Sequence, residues 1–189
     1  SYAGRGARYA EPFAKDFESV SREALSSIRA FADRPLVLVG HSFGALLAFD
    51  VATKLESETN AMLLRLVVSS CPEPSIRMKD ERWSQMADAA LVTALASLGW
   101  LPAAVSGGGG AGLVAHALPP LRADLALYEQ YQVSKDMCLQ CGITATGGAL
   151  DTSVPLEKLV SWKQRSRKPE TCNVSLVADA GHFHIESHA

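Results

Sequence analysis

Ser42, Asp151 and His182, in that chain order, carry the side chains that acyl-transfer chemistry needs. Serine at its own pKa is a weak nucleophile, so an imidazole must take its proton and a carboxylate must hold that imidazole in the right tautomer. Ser42 sits in Gly40-His41-Ser42-Phe43-Gly44, between the apolar run Leu36-Val37-Leu38-Val39 and the helix-like run Ala45-Leu46-Leu47-Ala48-Phe49. A serine on such a tight strand-to-helix turn has its hydroxyl pushed out at the edge of a sheet, and small residues two before and two after leave room for the bend. The helix after Ser42 points its amides and positive dipole end at any oxyanion that forms there, so the backbone N–H of Phe43 is the expected oxyanion donor.

The partners of Ser42 follow from position. Among the five histidines, His182 alone immediately follows a strand and a glycine. His184 is one turn position on, His41 lies inside the elbow, His116 belongs to an inserted segment and His188 is near the end. For the acid, Asp179 shares a short loop with His182, whereas Asp151 follows a different strand and can approach the imidazole from the side.

Such side chains need a sheet to hold them. Phe13, Phe17, Val20, Ala24, Leu25, Ile28 and Phe31 recur at helical spacing and predict an amphipathic helix over 13–31. A strand over 36–39, the elbow with a helix to about 55, and a strand over 63–69 then imply parallel pairing. The pattern changes after Pro74: a helix over 80–98 carrying Trp83 and Met86, a glycine break at 106–110 and a helix over 122–131 read as an insertion, a candidate lid. Sheet pattern resumes with a strand over 143–146, a turn over 147–151, a helix over 155–165 and a strand over 174–177. Asp151 and His182 then fall in loops past the C-terminal ends of strands, where open parallel sheets place their chemistry. The order serine, acid, histidine is the one used on α/β-hydrolase sheets.

Composition excludes other classes. With 189 residues, 48% hydrophobic and 20% charged, the chain suits one soluble domain with a full core. A formal net charge of −2 gives no basic field for nucleic acid. No apolar run approaches the roughly 20 residues of a membrane span, and there is no signal-peptide pattern. Cys71, Cys138, Cys141 and Cys172 are irregularly spaced, which favours a reducing compartment and a cytoplasmic protein. Cys138-Leu139-Gln140-Cys141 leads into a strand rather than opening a helix, and no second pair completes a zinc site, so buried small residues are the expected reading and no metal is expected.

These residues resemble the type II thioesterases that accompany modular polyketide and nonribosomal peptide synthetases, and the related thioesterases of fatty acid synthesis. Tyr2-Ala3-Gly4-Arg5 with Arg8 is similar to that family's Tyr-Pro-Gly-Arg segment, with Ala3 for proline. The run from Gly40 through Phe49 is similar to its Gly-His-Ser-Met-Gly-Ala-Leu-Leu-Ala-Phe, with Phe43 for methionine. Leu118-Pro119-Pro120-Leu121-Arg122-Ala123-Asp124 resembles the lid signature, and Gly147-Gly148 before Asp151, Trp162 and Gly181-His182-Phe183 extend the match along nearly the whole chain.

The resemblance implies a single α/β-hydrolase domain over 1–189, a mostly parallel sheet flanked by helices, with a helical lid over about 76–135. It implies that Ser42 attacks an acyl thioester on the phosphopantetheine arm of an acyl or peptidyl carrier protein, in editing or chain release. The phosphopantetheine belongs to the substrate, and no cofactor of the enzyme's own is implied. The apolar face of the lid, with Trp83 and Met86, would cover the acyl chain, while Arg122 and Asp124 are expected as a structural pair. Arg77, Lys79 and Arg82, or Lys163, Arg165, Arg167 and Lys168, are candidate docking charges for an acidic carrier. In the family an upstream Gly-rich loop donates the second oxyanion amide; this sequence starts after that point, so the N-terminal strands and that donor are expected outside it. A monomer is expected. Oxygen-ester or peptide hydrolysis on the same fold, and a carrier-binding module with impaired catalysis, are the alternatives.

Overall fold

The computed structural model describes residues 2–58, 60–76, 82–101 and 111–187. The glycine break at 106–110, the docking candidates Arg77 and Lys79, and His188 fall outside the described residues. The chain divides into two compact units: Ser1–Phe17 with Met78–Tyr131, and Glu18–Arg77 with Gln132–Ala189.

The second unit holds the sheet. Strands β1 (Leu36–His41), β2 (Leu63–Ser69), β3 (Gly142–Gly148) and β4 (Asn173–Val177) lie in the order β1-β2-β3-β4, and every pairing is parallel. Register puts Leu38 beside Leu66 and Leu66 beside Ile143, so these side chains share one face of the sheet. Helices α1 (Phe17–Arg29) and α2 (Phe43–Glu58) cover it, with Leu25, Val51 and Leu55 buried against Leu36 and Leu38. Phe49 of α2 meets Trp162 edge-to-face at 5.4 Å, both fully buried, and the Trp162 indole N–H donates to the Cys71 carbonyl at 2.8 Å. The opposite face carries Val37 and Val39, which are 51% and 70% exposed.

Helix α1 is shorter than the apolar spacing predicts, because the two terminal phenylalanines have other partners. Phe13 lies under the Arg5 guanidinium at 5.0 Å, and Phe31 under that of Arg34 at 5.7 Å. Strand β3 runs on through Gly147 and Gly148, expected as a turn, since they pair with Leu176 and Val177 of β4. The helix expected over 155–165 is a short α-helix, Leu156–Val160, continued by a tighter 3₁₀ turn, Ser161–Arg165.

The first unit is helical, with its own core of Trp83, Leu91, Leu95, Leu101, Leu118 and Leu125. The expected helix over 80–98 is instead a 3₁₀ turn, Trp83–Gln85, followed by α3 (Asp88–Ser97). Side chains from the next helix hold the turn apart from α3: Glu129 accepts from the Ser84 N–H at 2.9 Å, and Arg122 donates to the Ser84 carbonyl at 2.6 Å. That next helix, α4 (Ala111–Gln130), starts well before the expected 122 and contains Pro119 and Pro120. An interior proline costs about 3 kcal/mol. Burial of Leu118 and Leu125 on either side offsets it, and the Pro120 carbonyl accepts from Arg5 at 2.7 Å. The Leu156–Val160 segment is α5, and α6 is His184–Ser187.

Candidate active site

Ser42 links β1 to α2 at φ 51°, a backbone conformation that L-residues adopt only under constraint. The constraint is visible on both sides: its N–H donates to the Ser69 carbonyl at 2.8 Å, and its carbonyl accepts from Ala45 at 2.9 Å. Of the two elbow glycines, only Gly40 is enforced by contact. A Cβ there would lie 2.2 Å from the Gly44 carbonyl oxygen, whereas one at Gly44 meets nothing within 4 Å. Phe43 is the first residue of α2, directly after Ser42.

Asp151 and His182 come from the turns after β3 and β4, which are stitched together by main-chain bonds. Ala149 donates to Val177 at 2.9 Å and Leu150 to Ala180 at 2.8 Å. Gly148 permits this approach, because a Cβ there would stand 2.2 Å from the carbonyl oxygens of both Ala180 and Gly181. The side chains then meet in line: Ser42 Oγ is 3.1 Å from His182 Nε2, and His182 Nδ1 is 2.8 Å from Asp151 Oδ2. His182 and Asp151 are 5% and 4% exposed. The second carboxylate oxygen of Asp151 accepts from the Ser153 N–H at 3.0 Å and from its hydroxyl. Burial alone would push the Asp151 carboxyl up, but hydrogen bonds from His182 and Ser153 outweigh it and hold the pKa below the ordinary value. The group is an anion fixed on Nδ1, which leaves Nε2 to accept a proton from Ser42. Asp179, the other candidate acid, is exposed on its turn at φ 55°.

The other sequence-derived residues are placed differently. Trp83 is 6% exposed in the core of the helical unit, its ring 4.9 Å from that of Trp100, while Met86 is 36% exposed. Arg122 and Asp124 do not pair with one another as expected. Two positions apart on α4, they diverge: Arg122 bonds Asp88 at 2.6 Å, and Asp124 accepts from Tyr2 at 2.7 Å and from Arg5 at 2.5 Å. Among the docking candidates, Arg165 is buried on Glu73, whereas Arg82, Lys163, Arg167 and Lys168 are exposed. All four cysteines are free thiols, and burial first pushes that of Cys141 up to about 11. No group of His, Cys, Asp or Glu among the described residues could hold a metal ion, and no described helix is long and apolar enough to cross a membrane.

Sequence reasoning passed over Ser153, Ser69, Ser70 and the bonding of His184. The nearest signal was the polar pair Ser69-Ser70 ending an apolar strand. His184 bonds Ser69 and Ser70 rather than joining Ser42, with Nε2 to Ser69 Oγ at 3.3 Å and Nδ1 to Ser70 Oγ at 3.2 Å.

A family model for the thioesterase domain matches residues 1–189. A probable cadicidin biosynthesis thioesterase of Streptomyces griseus is 29% identical over 187 residues, 99% of this chain and 50% of that protein. The gramicidin S biosynthesis protein GrsT of Aneurinibacillus migulanus is 28% identical over 165 residues, 87% of this chain and 64% of that one. Among solved structures, the type II thioesterase BorB from the borrelidin biosynthetic cluster superposes with a TM-score of 0.81 at 29% identity, covering 100% of this chain and 74% of its own. The chain spans 50% of the length of the first of these curated relatives and 64% of the second. Sequence and parallel sheet agree, and the chain belongs to the thioesterase domain family, on the α/β-hydrolase fold.

Proposed function

We propose that this chain hydrolyses acyl thioesters carried on the phosphopantetheine arm of an acyl or peptidyl carrier protein, in editing or chain release. The observation that carries the reading is the unbroken contact from Ser42 through His182 to Asp151, in a chain of the thioesterase family. Ser42 Oγ attacks the thioester carbonyl as His182 Nε2 takes its proton, and the imidazolium formed is stabilised by the Asp151 carboxylate. The oxyanion develops at the start of α2, where the Phe43 N–H and the helix dipole favour negative charge. His182 then returns the proton to the departing pantetheine thiol, and water, activated by the same imidazole, releases the acid. No cofactor takes part beyond the substrate's own arm. The names of the relatives, from gramicidin, cadicidin and borrelidin biosynthesis, support a carrier-borne substrate. The free cysteines support a reducing, cytoplasmic setting.

The test compares wild type with Ser42→Ala on short acyl thioesters and on matched oxygen esters. The variant is expected to lose at least 10³-fold in kcat, roughly the scale seen when a serine nucleophile is removed, with thioesters preferred by the wild type. Equal hydrolysis by both proteins would sink the serine mechanism, and a preference for oxygen esters would sink the thioester reading alone.

A further inference from the structure

Behind His182 lies a run of two serines and two histidines, all buried but the half-buried His41, that the proposed acyl transfer does not consume. The Ser70 hydroxyl donates to the main-chain oxygen of His182 at 2.9 Å. A carbonyl oxygen only accepts, so the single hydroxyl proton of Ser70 is committed to it. The 3.2 Å contact between Ser70 Oγ and His184 Nδ1 must then be a donation from the ring. A neutral His184 that donates through Nδ1 accepts through Nε2, so the Ser69 hydroxyl, 3.3 Å away, donates to it. Ser69 Oγ, its proton spent, accepts from His41 Nδ1 at 3.0 Å. One carbonyl at the end thereby orients every bond in the run.

Burial makes the orientation consequential. Ser69, Ser70 and His184 are 2%, 1% and 4% exposed, so water offers no alternative partner. His41 is neutral: burial first, then the neighbouring His182 and His184, push its pKa down to about 4. Its Nε2 is enclosed and has no hydrogen-bond partner among the described residues, as expected for the aprotic nitrogen of an imidazole that donates through Nδ1. The run also reaches the His182 loop itself. The bond from Leu150 to Ala180 fixes the loop before the histidine, and Ser70 fixes the histidine's own carbonyl, itself anchored by a bond from the Ser70 N–H to Thr146 at 2.9 Å.

We infer that His41, Ser69, His184 and Ser70 form a one-way hydrogen-bond chain that positions the His182 loop, with both His41 and His184 in the Nδ1–H tautomer. The inference rests on the reading of His182 as the general base, but its first readout does not. Long-range proton–nitrogen spectra of the full chain labelled with ¹⁵N-histidine, taken near pH 8, report the tautomer of each ring without any substrate. Wild type is expected to show bare Nε2 on His41 and His184, and Ser69→Ala to release His41 to its ordinary Nε2–H form. A proton on Nε2 of either ring in wild type overturns the chain.

The second readout is kinetic. Ser70→Ala is expected to lower kcat for a short acyl thioester by about 10- to 10²-fold, the scale of a reacting group displaced by a fraction of an ångström to one ångström. KM should stay unchanged, because these residues act through His182 and not on the substrate. Ser70 has φ 44°, so Ser70→Gly, which suits that backbone, removes the same hydroxyl without added strain and serves if the alanine variant misfolds. Unchanged kcat in a folded Ser70 variant overturns the positioning role. Failure of the hydrolase reading is seen separately, as Ser42→Ala with wild-type activity, and leaves the tautomers to stand or fall by the spectra.

Discussion

At the scale of single residues, charge and burial around His182 divide the histidines by task. His182 has a carboxylate on one nitrogen and the Ser42 hydroxyl on the other, whereas His41, 5.1 Å away between ring centroids, bonds the Ser69 hydroxyl through Nδ1. The pH dependence of stability follows from the second ring. An unfolded His41 takes up its proton near pH 6.5, but the folded one refuses it until about 4. Between these values the unfolded state binds the extra proton, so stability falls as pH falls from 6.5 to 4, and below 4 the loss is complete. His41→Gln is expected to flatten the dependence of Tm on pH in that window. Identical slopes for variant and wild type would show that His41 is not the group responsible. The sequence made Ser42, Asp151 and His182 legible because each occupies a loop whose flanking glycines and strands have a period or a turn signal. Ser69, Ser70 and His184 carried no such signal, since a polar residue at a strand end is ordinary until the fold shows what it touches.

At the scale of elements, the site is an alignment of three strand ends, and two glycines hold the alignment. Gly40 lets α2 turn back against β1, and Gly148 lets the His182 loop lie on the end of β3. Gly148→Ala would drive a methyl group into the carbonyl oxygens of Ala180 and Gly181, both backbone atoms that cannot swing aside. It is expected to move the loop and lower kcat by about 10²-fold or more, with a fall in Tm of several degrees. Gly44→Ala, in open space, is expected to keep the wild-type Tm. Equal melting of the two variants would contradict this account. These elements differ in how far the sequence foretells them. Strand β2 matches its expected bounds, because an apolar run closed by polar and proline residues leaves little choice. Helix α4 does not: it is expected over 122–131 but begins at Ala111, and the packing of Leu118 and the bond from Arg5 to Pro120 show why it persists through two interior prolines.

At the scale of the whole molecule, the insertion seen in the sequence falls with residues 1–17 in one compact unit, and the chain crosses between the units three times, once after Phe17 and then out to the insertion and back. Within the sheet-bearing unit the segments that flank the last two crossings are held by one buried group. Arg165, 5% exposed, donates from Nε to the Glu73 carboxylate and from Nη1 to the carbonyl of Ser134 at 2.8 Å, with longer contacts to Lys135 and Met137. Glu73 lies just before the outgoing crossing and 134–137 just after the return. Its carboxylate, 1% exposed, also holds the Ser75 N–H at 3.0 Å. A basic run on the surface is the natural reading of Lys163, Arg165, Arg167 and Lys168 in sequence, and burial of the second member shows that it serves the fold. Removing a single partner of a buried pair leaves the other charge uncompensated, at a cost of about 3–5 kcal/mol, while replacing both with apolar groups is far milder. Urea unfolding of Arg165→Met is therefore expected to show a loss of that size, and Arg165→Met combined with Glu73→Leu to recover part of it. Lys163→Ala, at an exposed position, is expected to leave stability within about 0.5 kcal/mol of wild type. If the double variant were no more stable than Arg165→Met alone, the loss would come from the carbonyls of 134–137 rather than from an orphaned Glu73, and the clamp would be one of main-chain hydrogen bonds instead of charge.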